Sequence, residues 1–229
     1  MLVVIASVAA APAQQPDMLP ADAQAAWNAI GRVNVAGLRA RSMCTGTLVA
    51  PDLVLTAAHC LFRADGNMAR AGDVHFVAGW RGGEYVAHRT GAEILPHPGY
   101  DPALPSLASQ VAYDSAFVLL ESPVGAETVS PLPLAALPED AFDVDLIGYR
   151  RDRPHAPSRQ PDCTVVWRDA GRLGLDCPVI QGASGGPVLW NGPDGWRVVG
   201  LVSASASGSP PVRSLAAIPH AAPDRPPAF

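Results

Sequence analysis

Short apolar segments, separated by glycine and proline, run along most of the chain. They have the length and composition of β-strands and read CTGTLVA, LVLTAA, VHFVAG, SAFVLLE, DVDLIGY, TVVWRD, RLGLDC, GPVLW and WRVVGLVSA. Helical periodicity is confined to residues Ala21–Ile30, which follow Pro20, and a turn around Ala58–Phe62. Many short strands with turns between them predict an all-β barrel or sandwich.

A proline-rich stretch divides these strands into two groups of similar size. It covers Ser122–Leu137 and shows no hydrophobic period, which is typical of a linker. We therefore predict an N-terminal barrel over residues 27–121 and a C-terminal barrel over residues 122–220. A proline-rich tail, residues 221–229, follows them.

The first residues have the pattern of an export signal. The apolar run Leu2–Ala11 ends in Ala11-Pro12-Ala13, an A-x-A-type cleavage site, and it is too short to span a bilayer. No Lys or Arg precedes the run, and the alternative is a buried N-terminal strand. We predict a signal peptide over residues 1–13 and a secreted or periplasmic protein with no membrane contact in its mature form.

Composition and charge narrow the range of partners. The chain is 48% hydrophobic and 16% charged, which is typical of a globular protein. Its formal net charge of −5 argues against nucleic acid or an anionic membrane as a partner. No Cys-x-x-Cys pair is present among the four cysteines, so disulfides are favoured over a metal site, in agreement with export.

The cysteine positions suggest which loops the disulfides would close. Cys44 and Cys60 flank a strand–turn–strand segment, and a bridge between them would hold the loop that carries His59. Cys163 and Cys177 flank a predicted hairpin that turns near residues 169–171. We expect this second pair to be bonded, the alternative being two buried thiols.

Three residues stand out as candidate chemical groups. His59 follows an apolar strand, Asp114 begins a strongly apolar strand, and Ser184 lies among the glycines of GASGGP. Glycines on both sides would expose the serine hydroxyl and turn amide N–H groups toward one point. Taken singly, each has a plainer interpretation: a structural histidine, a strand-capping carboxylate and a glycine-rich turn.

The segment GASGG also matches G-x-S-x-G, the nucleophile turn of α/β-hydrolases. That fold requires the order Ser, Asp or Glu, then His, on a chain of alternating strands and helices. After Ser184 the only histidine is His220, beside the proline-rich tail, and the helices are missing. The α/β-hydrolase interpretation therefore fails.

The order His59, Asp114, Ser184 is that of the chymotrypsin-type serine proteases. The chain resembles that family in LTAAHC, YDSAFVLL and GASGGP, and further in HPGYDP and WNAIGRV, so that the resemblance covers about residues 27–207. It implies two six-stranded antiparallel β-barrels with the active site between them. It also implies a mechanism without metal or organic cofactor.

The resemblance assigns a role to each matching residue. Ser184 would be the nucleophile, His59 the general base and then acid, and Asp114 the orienting carboxylate. The amides of Gly182 and Ser184 would form the oxyanion hole. Ser203 would be a hydrogen-bond partner of Asp114, and Cys44–Cys60 would match the bridge of the family's histidine loop.

The chain departs from the zymogen-activated branch of that family just before the serine. Ala183 replaces the aspartate that pairs with a newly freed N-terminal amine, and Ile180 replaces a cysteine. In these respects the chain resembles the exported bacterial branch that includes the glutamyl endopeptidases. The histidine that binds glutamate in that branch is missing from Gly200–Ser203, and Pro178 stands where Arg/Lys specificity requires aspartate, so neither specificity is predicted.

The sequence thus predicts an exported serine endopeptidase that hydrolyses polypeptides through an acyl-enzyme and acts as a monomer. Two alternatives use the same fold: a catalytically silent binding protein, and an esterase with the same three residues. The remaining histidines have no partner at a recognisable spacing, and we expect surface or loop roles for His75, His88, His97 and His155.

Overall fold

The computed structural model describes residues 16–36, 42–104, 108–206 and 211–223 of the 229-residue chain. The predicted signal peptide, residues 1–13, lies outside these ranges, as do residues 224–229 of the predicted tail. The strands are β1 (Asp17–Met18), β2 (Ile30–Val35), β3 (Ser42–Ala50), β4 (Leu53–Thr56), β5 (Val74–Ala78), β6 (Ala87–Pro96), β7 (Ala116–Leu120), β8 (Asp143–Arg150), β9 (Arg153–Arg168), β10 (Arg172–Leu175), β11 (Pro187–Gly192), β12 (Gly195–Ser205) and β13 (Ser214–Ala217). Short 3₁₀ helices cover Gln24–Trp27, Ala58–Leu61, Ala71–Asp73 and Gln110–Tyr113.

The first six-stranded sheet closes on itself in the order β2-β3-β4-β7-β6-β5, with β5 paired back to β2. Alternation of side chains along β5 shows how the barrel is filled, since Val74, Phe76 and Ala78 are buried and the residues between them are partly exposed. All pairings in this sheet are antiparallel.

The second sheet follows the order β9-β10-β13-β12-β11-β8 and closes through a β8–β9 pairing, with β1 added along β9. Its pairings are likewise antiparallel. These two closed six-stranded antiparallel barrels confirm the expected fold class.

The proline-rich linker packs against both barrels. Val124 and Val129 are buried in the larger core cluster. The N–H of Leu132 donates to the Leu48 carbonyl of β3, and Leu134 forms a bridge with Val198 of β12. The linker therefore helps to set the position of one barrel on the other.

One local prediction was wrong, and one strand was missed. The segment Ala21–Ile30 forms a single 3₁₀ turn, Gln24–Trp27, and β2 already starts at Ile30. Tertiary contacts override the helical pattern: Gln24 is buried and its side-chain amide donates to the Gly79 carbonyl at 2.8 Å. The half-exposed strand β6 was not predicted, because polar residues, Gly91 and Pro96 hide its alternation. Within residues 16–36, 42–104, 108–206 and 211–223, no helix is long and apolar enough to cross a membrane.

Candidate active site

The loop that carries His59 leaves β4 through two small, fully buried residues. Ala57 and Ala58 have no exposed surface, which lets the chain turn tightly into the 3₁₀ helix Ala58–Leu61. The Cys44–Cys60 disulfide is formed and ties this loop to β3. The His59 side chain remains 39% exposed at the surface of this anchored loop.

The position of Asp114 follows from the pairing of β4 with β7. Thr56 lies opposite Ala116 in this antiparallel pair, so the residues after Thr56 and those before Ala116 emerge at the same end. Asp114 has φ −82° and ψ 54°, and the Ser115 N–H donates to the Tyr113 carbonyl at 2.9 Å. Asp114 is thus the centre of an inverse γ-turn that aims its carboxylate at His59.

The carboxylate of Asp114 accepts three hydrogen bonds. His59 Nδ1 lies 2.7 Å from Oδ2, the His59 backbone N–H donates to Oδ1 at 2.9 Å, and Ser203 Oγ donates to Oδ2 at 2.5 Å. The side chain of Asp114 is only 7% exposed, so these donors replace the water that an ionised carboxylate needs. Because a carboxylate only accepts, Nδ1 of His59 carries the proton in this contact.

Opposing influences act on the imidazole of His59. Burial lowers its pKa, whereas the hydrogen bond from Nδ1 to Asp114 and the negative charge of Asp114 raise it. The net effect is a pKa above the usual value for histidine. In the neutral ring Nε2 has a free lone pair and can accept a proton.

The loop that carries Ser184 is pressed against the first barrel. Gly185 has φ +78°, and a Cβ there would overlap the Thr45 carbonyl and the Thr56 hydroxyl, so this position requires glycine. The Thr45 N–H donates to the Ser184 carbonyl, and the Gly185 N–H donates to the Val202 carbonyl, at 2.8 and 2.7 Å. Ser184 is thereby held between β3 of the first barrel and β12, the strand that carries Ser203.

The peptide groups around Ser184 are oriented by their carbonyl partners. Gln181 C=O accepts from the Arg151 N–H at 2.7 Å, and Ala183 C=O accepts from the Gly186 N–H at 2.8 Å. In a trans peptide the N–H points opposite to the C=O, so the N–H groups of Gly182 and Ser184 point away from these partners. Neither N–H donates to another group in the described part of the chain.

Thr45 is a residue of this site that the sequence did not indicate. Its hydroxyl donates to the Gly182 carbonyl at 2.8 Å and accepts from the Tyr149 N–H at 2.8 Å. A threonine in an apolar strand carries no signal of such a contact, since the partners are more than 100 residues away in sequence.

The predicted residues are brought together in two groups. His59, Asp114 and Ser203 are joined by hydrogen bonds, and Gly182 and Ser184 lie on the adjacent loop. Among the described residues, no hydrogen bond joins the Ser184 hydroxyl to His59. An open cleft of about 550 Å³ borders His59, Asp114 and Ser203, and its remaining lining residues are Tyr100, Asp101, Leu104, Gln110, Val111 and Ala204.

Potential metal ligands do not form an open site in the described ranges. The one group of three, Cys44, His59 and Cys60, has both sulfurs in the disulfide. The second disulfide, Cys163–Cys177, lies in the core of the C-terminal barrel.

Three of the remaining histidines have partners that no sequence spacing indicated. His75 Nδ1 lies 2.9 Å from His88 Nε2 on the outer face of the first barrel. His97 packs against His220, with ring centroids 5.0 Å apart. No sequence spacing links the members of either pair.

Comparisons with known proteins agree with this fold. The family model described as Trypsin matches residues 21–167. The cercarial protease of Schistosoma mansoni is 27% identical over 199 residues, covering 71% of this chain and 70% of its own length.

Solved structures give the same result at lower identity. A Glu endopeptidase solved in complex with MPD has a TM-score of 0.66 and 19% identity, covering 84% of this chain and 85% of its own. The thermostable serine protease AL20 from an extremophilic microorganism has a TM-score of 0.66 and 20% identity, covering 88% and 93%. The protease Anisep from Arthrobacter nicotinovorans has a TM-score of 0.63 and 18% identity, covering 91% and 92%. With the family model matching most of the chain and both barrels in place, the chain belongs to the trypsin family and is a serine endopeptidase.

Proposed function

We propose that the protein is an exported endopeptidase that cleaves polypeptides through a Ser184–His59–Asp114 triad. The observation that carries this proposal is the contact of His59 Nδ1 with the buried Asp114 carboxylate, which leaves Nε2 as the basic atom of the ring. Asp114 then orients the imidazole and stabilises its protonated form.

In the first half of the reaction, His59 Nε2 removes the proton from Ser184 Oγ as this oxygen attacks the substrate carbonyl carbon. We expect the Ser184–His59 hydrogen bond to form in the substrate complex, since catalytic hydrogen bonds are often long without substrate. The N–H groups of Gly182 and Ser184 would hold the oxyanion that develops on the carbonyl oxygen. His59 then donates its proton to the leaving amine, and the acyl-enzyme remains.

In the second half, water takes the place of the leaving amine. His59 removes a proton from water as its oxygen attacks the ester carbonyl, and then returns the proton to Ser184 Oγ when the C–O bond breaks. Ser203 supports both halves because its hydroxyl fixes the same carboxylate oxygen that contacts His59 Nδ1.

Export is supported by the two disulfides together with the apolar Leu2–Ala11 run and its A-x-A site. Disulfides persist in oxidising compartments, which include both the periplasm and the extracellular space. Fractionation of cells that express the full chain would test this proposal: the chain should leave the cytoplasm shortened at its N-terminus. Retention of uncleaved protein in the cytoplasm would contradict it.

The triad is tested with a fluorophosphonate probe and a casein assay on the mature protein. We expect the probe to label the protein once, at Ser184, and Ser184→Ala to lose labelling and about 10⁴- to 10⁶-fold in kcat. Absence of labelling would favour a silent binding protein, and ester turnover without casein cleavage would favour an esterase. Equal activity before and after Ser184→Ala would refute the mechanism.

A further inference from the structure

Ser115, the residue that follows Asp114, is held by two histidines from distant parts of the chain. His97 follows β6, and its backbone N–H donates to the Ser115 carbonyl at 2.8 Å. His220 follows β13, and its Nδ1 lies 2.9 Å from Ser115 Oγ. Ser115 has no exposed surface, so these contacts fix the chain directly after the aspartate turn. We call His97, His220 and Ser115 the histidine clamp.

The rings of the clamp belong to an aromatic cluster. The His97 and His220 ring centroids are 5.0 Å apart with an interplanar angle of 80°. His220 also meets Phe117 of β7 edge to face at 5.0 Å, and His97 packs on Tyr113 at 5.1 Å. Phe117 and Tyr113 flank Asp114 and Ser115 in sequence, so the two histidine rings pack on residues both before and after the aspartate turn.

The clamp is built for neutral imidazoles. His97 Nδ1 accepts the Gly99 N–H at 2.9 Å, and a protonated Nδ1 could not accept it. The hydroxyl of Ser115 donates to His220 Nδ1 when that nitrogen is unprotonated, whereas a protonated Nδ1 would have to donate to the hydroxyl, so protonation reverses this bond. Two imidazolium rings at this distance would also repel each other.

The surroundings of the two rings favour the neutral form. Burial lowers the pKa of His97, and burial followed by the charge of His97 lowers the pKa of His220. Other titratable groups close to the two histidines along the chain or in the ring cluster are Tyr113, Asp114, Tyr100 and Asp101, and β6 also carries His88, Arg89 and Glu93. Asp114 is occupied by His59 and Ser203, and Asp101 Oδ1 accepts the N–H of Ala103. Burial, followed by the charges of Asp114 and Asp101, raises the pKa of Tyr100 to about 12, so this group stays neutral.

We propose that His97 and His220 are positioning residues that hold Asp114 through Ser115, and that protonation of both rings opens the clamp through their mutual repulsion and the loss of the Gly99 contact, which lowers turnover in acid. The proposal rests on the proposed role of Asp114 in orienting His59. Opening would loosen the aspartate turn, since the clamp acts on the residue directly after Asp114. It would not touch the bound peptide.

Two variants of His220 separate the effect of its hydrogen bond with Ser115 from the effect of the charge on its protonated ring. His220→Ala removes the partner of Ser115 Oγ, and His220→Asn places an amide near the position of Nδ1 without a titrating group. At pH 8 we expect His220→Ala to lower kcat about tenfold with KM unchanged, because displacement of a positioning contact impairs geometry more than binding. His220→Asn should restore kcat to within about twofold of wild type. The control is His155→Asn, an exposed site on β9. Wild-type kcat in His220→Ala, or a rise in KM without loss of kcat, would overturn the proposal.

The pH profile tests the protonation step. If only His59 titrates, log kcat/KM falls with a slope of 1 as pH decreases below its pKa. The clamp adds protons, so wild type and His155→Asn should show a slope clearly above 1 at pH values below the ordinary histidine pKa of about 6.5, because the pKa values of both clamp histidines are lowered. The double variant His97→Asn/His220→Asn should keep a slope of 1. Equal slopes in wild type and the double variant would overturn the proposal.

The melting temperature tests protonation of the clamp without depending on catalytic activity. Because the pKa values of His97 and His220 are lowered in the folded state, the unfolded chain binds more protons just below pH 6.5. The contribution of the two histidines to the free energy of unfolding is therefore fully present above pH 6.5 and decreases as pH falls. The melting temperature should drop more between pH 7.5 and 5.5 in wild type than in the double variant. If the fluorophosphonate probe does not label wild type while this difference in melting temperature persists, the proposed triad is refuted and the acid-sensitive contact of the clamp is retained. Normal labelling with identical melting curves refutes the clamp alone.

Discussion

Thr45 of β3 offers a sharp test of how the serine loop is held. Its hydroxyl donates to the Gly182 carbonyl and accepts from the Tyr149 N–H, and its backbone N–H donates to the Ser184 carbonyl. Thr45→Val keeps the shape and the backbone contact but removes both hydroxyl contacts. The variant leaves two buried backbone groups without a partner, one of them in the residue proposed to bind the oxyanion.

The magnitude follows from these two groups. Leaving one buried polar group unpaired costs about 1–3 kcal/mol, so the pair should cost about 3 kcal/mol. Valine fills the same volume, and no cavity adds to this cost. For a chain of this size, about 3 kcal/mol lowers the melting temperature by about 6–12 °C. Because Gly182 loses its anchor, kcat should fall about tenfold, less than the 10²- to 10³-fold cost of deleting an oxyanion donor.

Thr47 of the same strand is the matched control. It is also fully buried, but in the described structure its hydroxyl has no hydrogen-bond partner. Thr47→Val should therefore leave stability unchanged or increase it. Urea denaturation and steady-state kinetics of both variants test the reasoning. Equal unfolding midpoints for the two variants would refute the hydrogen-bond argument, and a destabilised Thr45→Val with wild-type kcat would refute the link from Thr45 to the oxyanion site.

Further predictions concern the charge and geometry of the same site. Since the pKa of His59 is raised, the acidic limb of kcat/KM should have its midpoint above pH 6.5; a midpoint below 6.5 would contradict this. His59 should also stabilise the fold fully below pH 6.5, and this contribution should be lost as pH rises through its folded-state pKa, as measured by denaturation in a Ser184→Ala background. Ser203→Ala removes one of the three donors to Asp114 and should lower kcat by about three- to tenfold with KM unchanged. One hydrogen bond to a charged group contributes about 1.5–3 kcal/mol, and the two remaining donors limit the loss. Wild-type kcat in this variant would show that the bond has no catalytic effect. Gly185→Ala should give little folded protein because its Cβ has no space, whereas Gly195→Ala, also at positive φ but in open space, should fold; a soluble, active Gly185→Ala would show that the serine loop can shift.

The fold was largely predictable because its signals are local or shared by a family. Strand-length apolar segments and the proline-rich division indicated an all-β chain in two parts, and the resemblance added the two barrels. The failures have a tertiary cause. The contact of Gln24 with Gly79 overrides the helical pattern of the segment around it. Strand β6 lacks a clear alternation of apolar and polar residues because half of the strand faces solvent.

The site residues were predictable from sequence only where a reactive residue type lies within a recognisable motif. His59, Asp114 and Ser184 stood out because their neighbours form recognisable motifs. Thr45 and His220 did not, because their importance comes from partners about 100 residues away that only the closed barrels bring into contact. A sequence without its fold gives no reason to separate Thr45 from Thr47, although among the described residues the Thr45 hydroxyl has two hydrogen-bond partners and the Thr47 hydroxyl has none.

These contacts also offer a physical account of Ala183. The Ala183 side chain carries no charge and no hydrogen-bonding group, and it packs with the core of the second barrel. Order must then come from the backbone. Thr45 binds the carbonyls of Gly182 and Ser184, and Gly186 donates to the Ala183 carbonyl. Since Thr45 belongs to the first barrel, the proposed oxyanion site is held by contact between the two barrels. The same contact brings Ser184 toward His59 and orients the amides of Gly182 and Ser184.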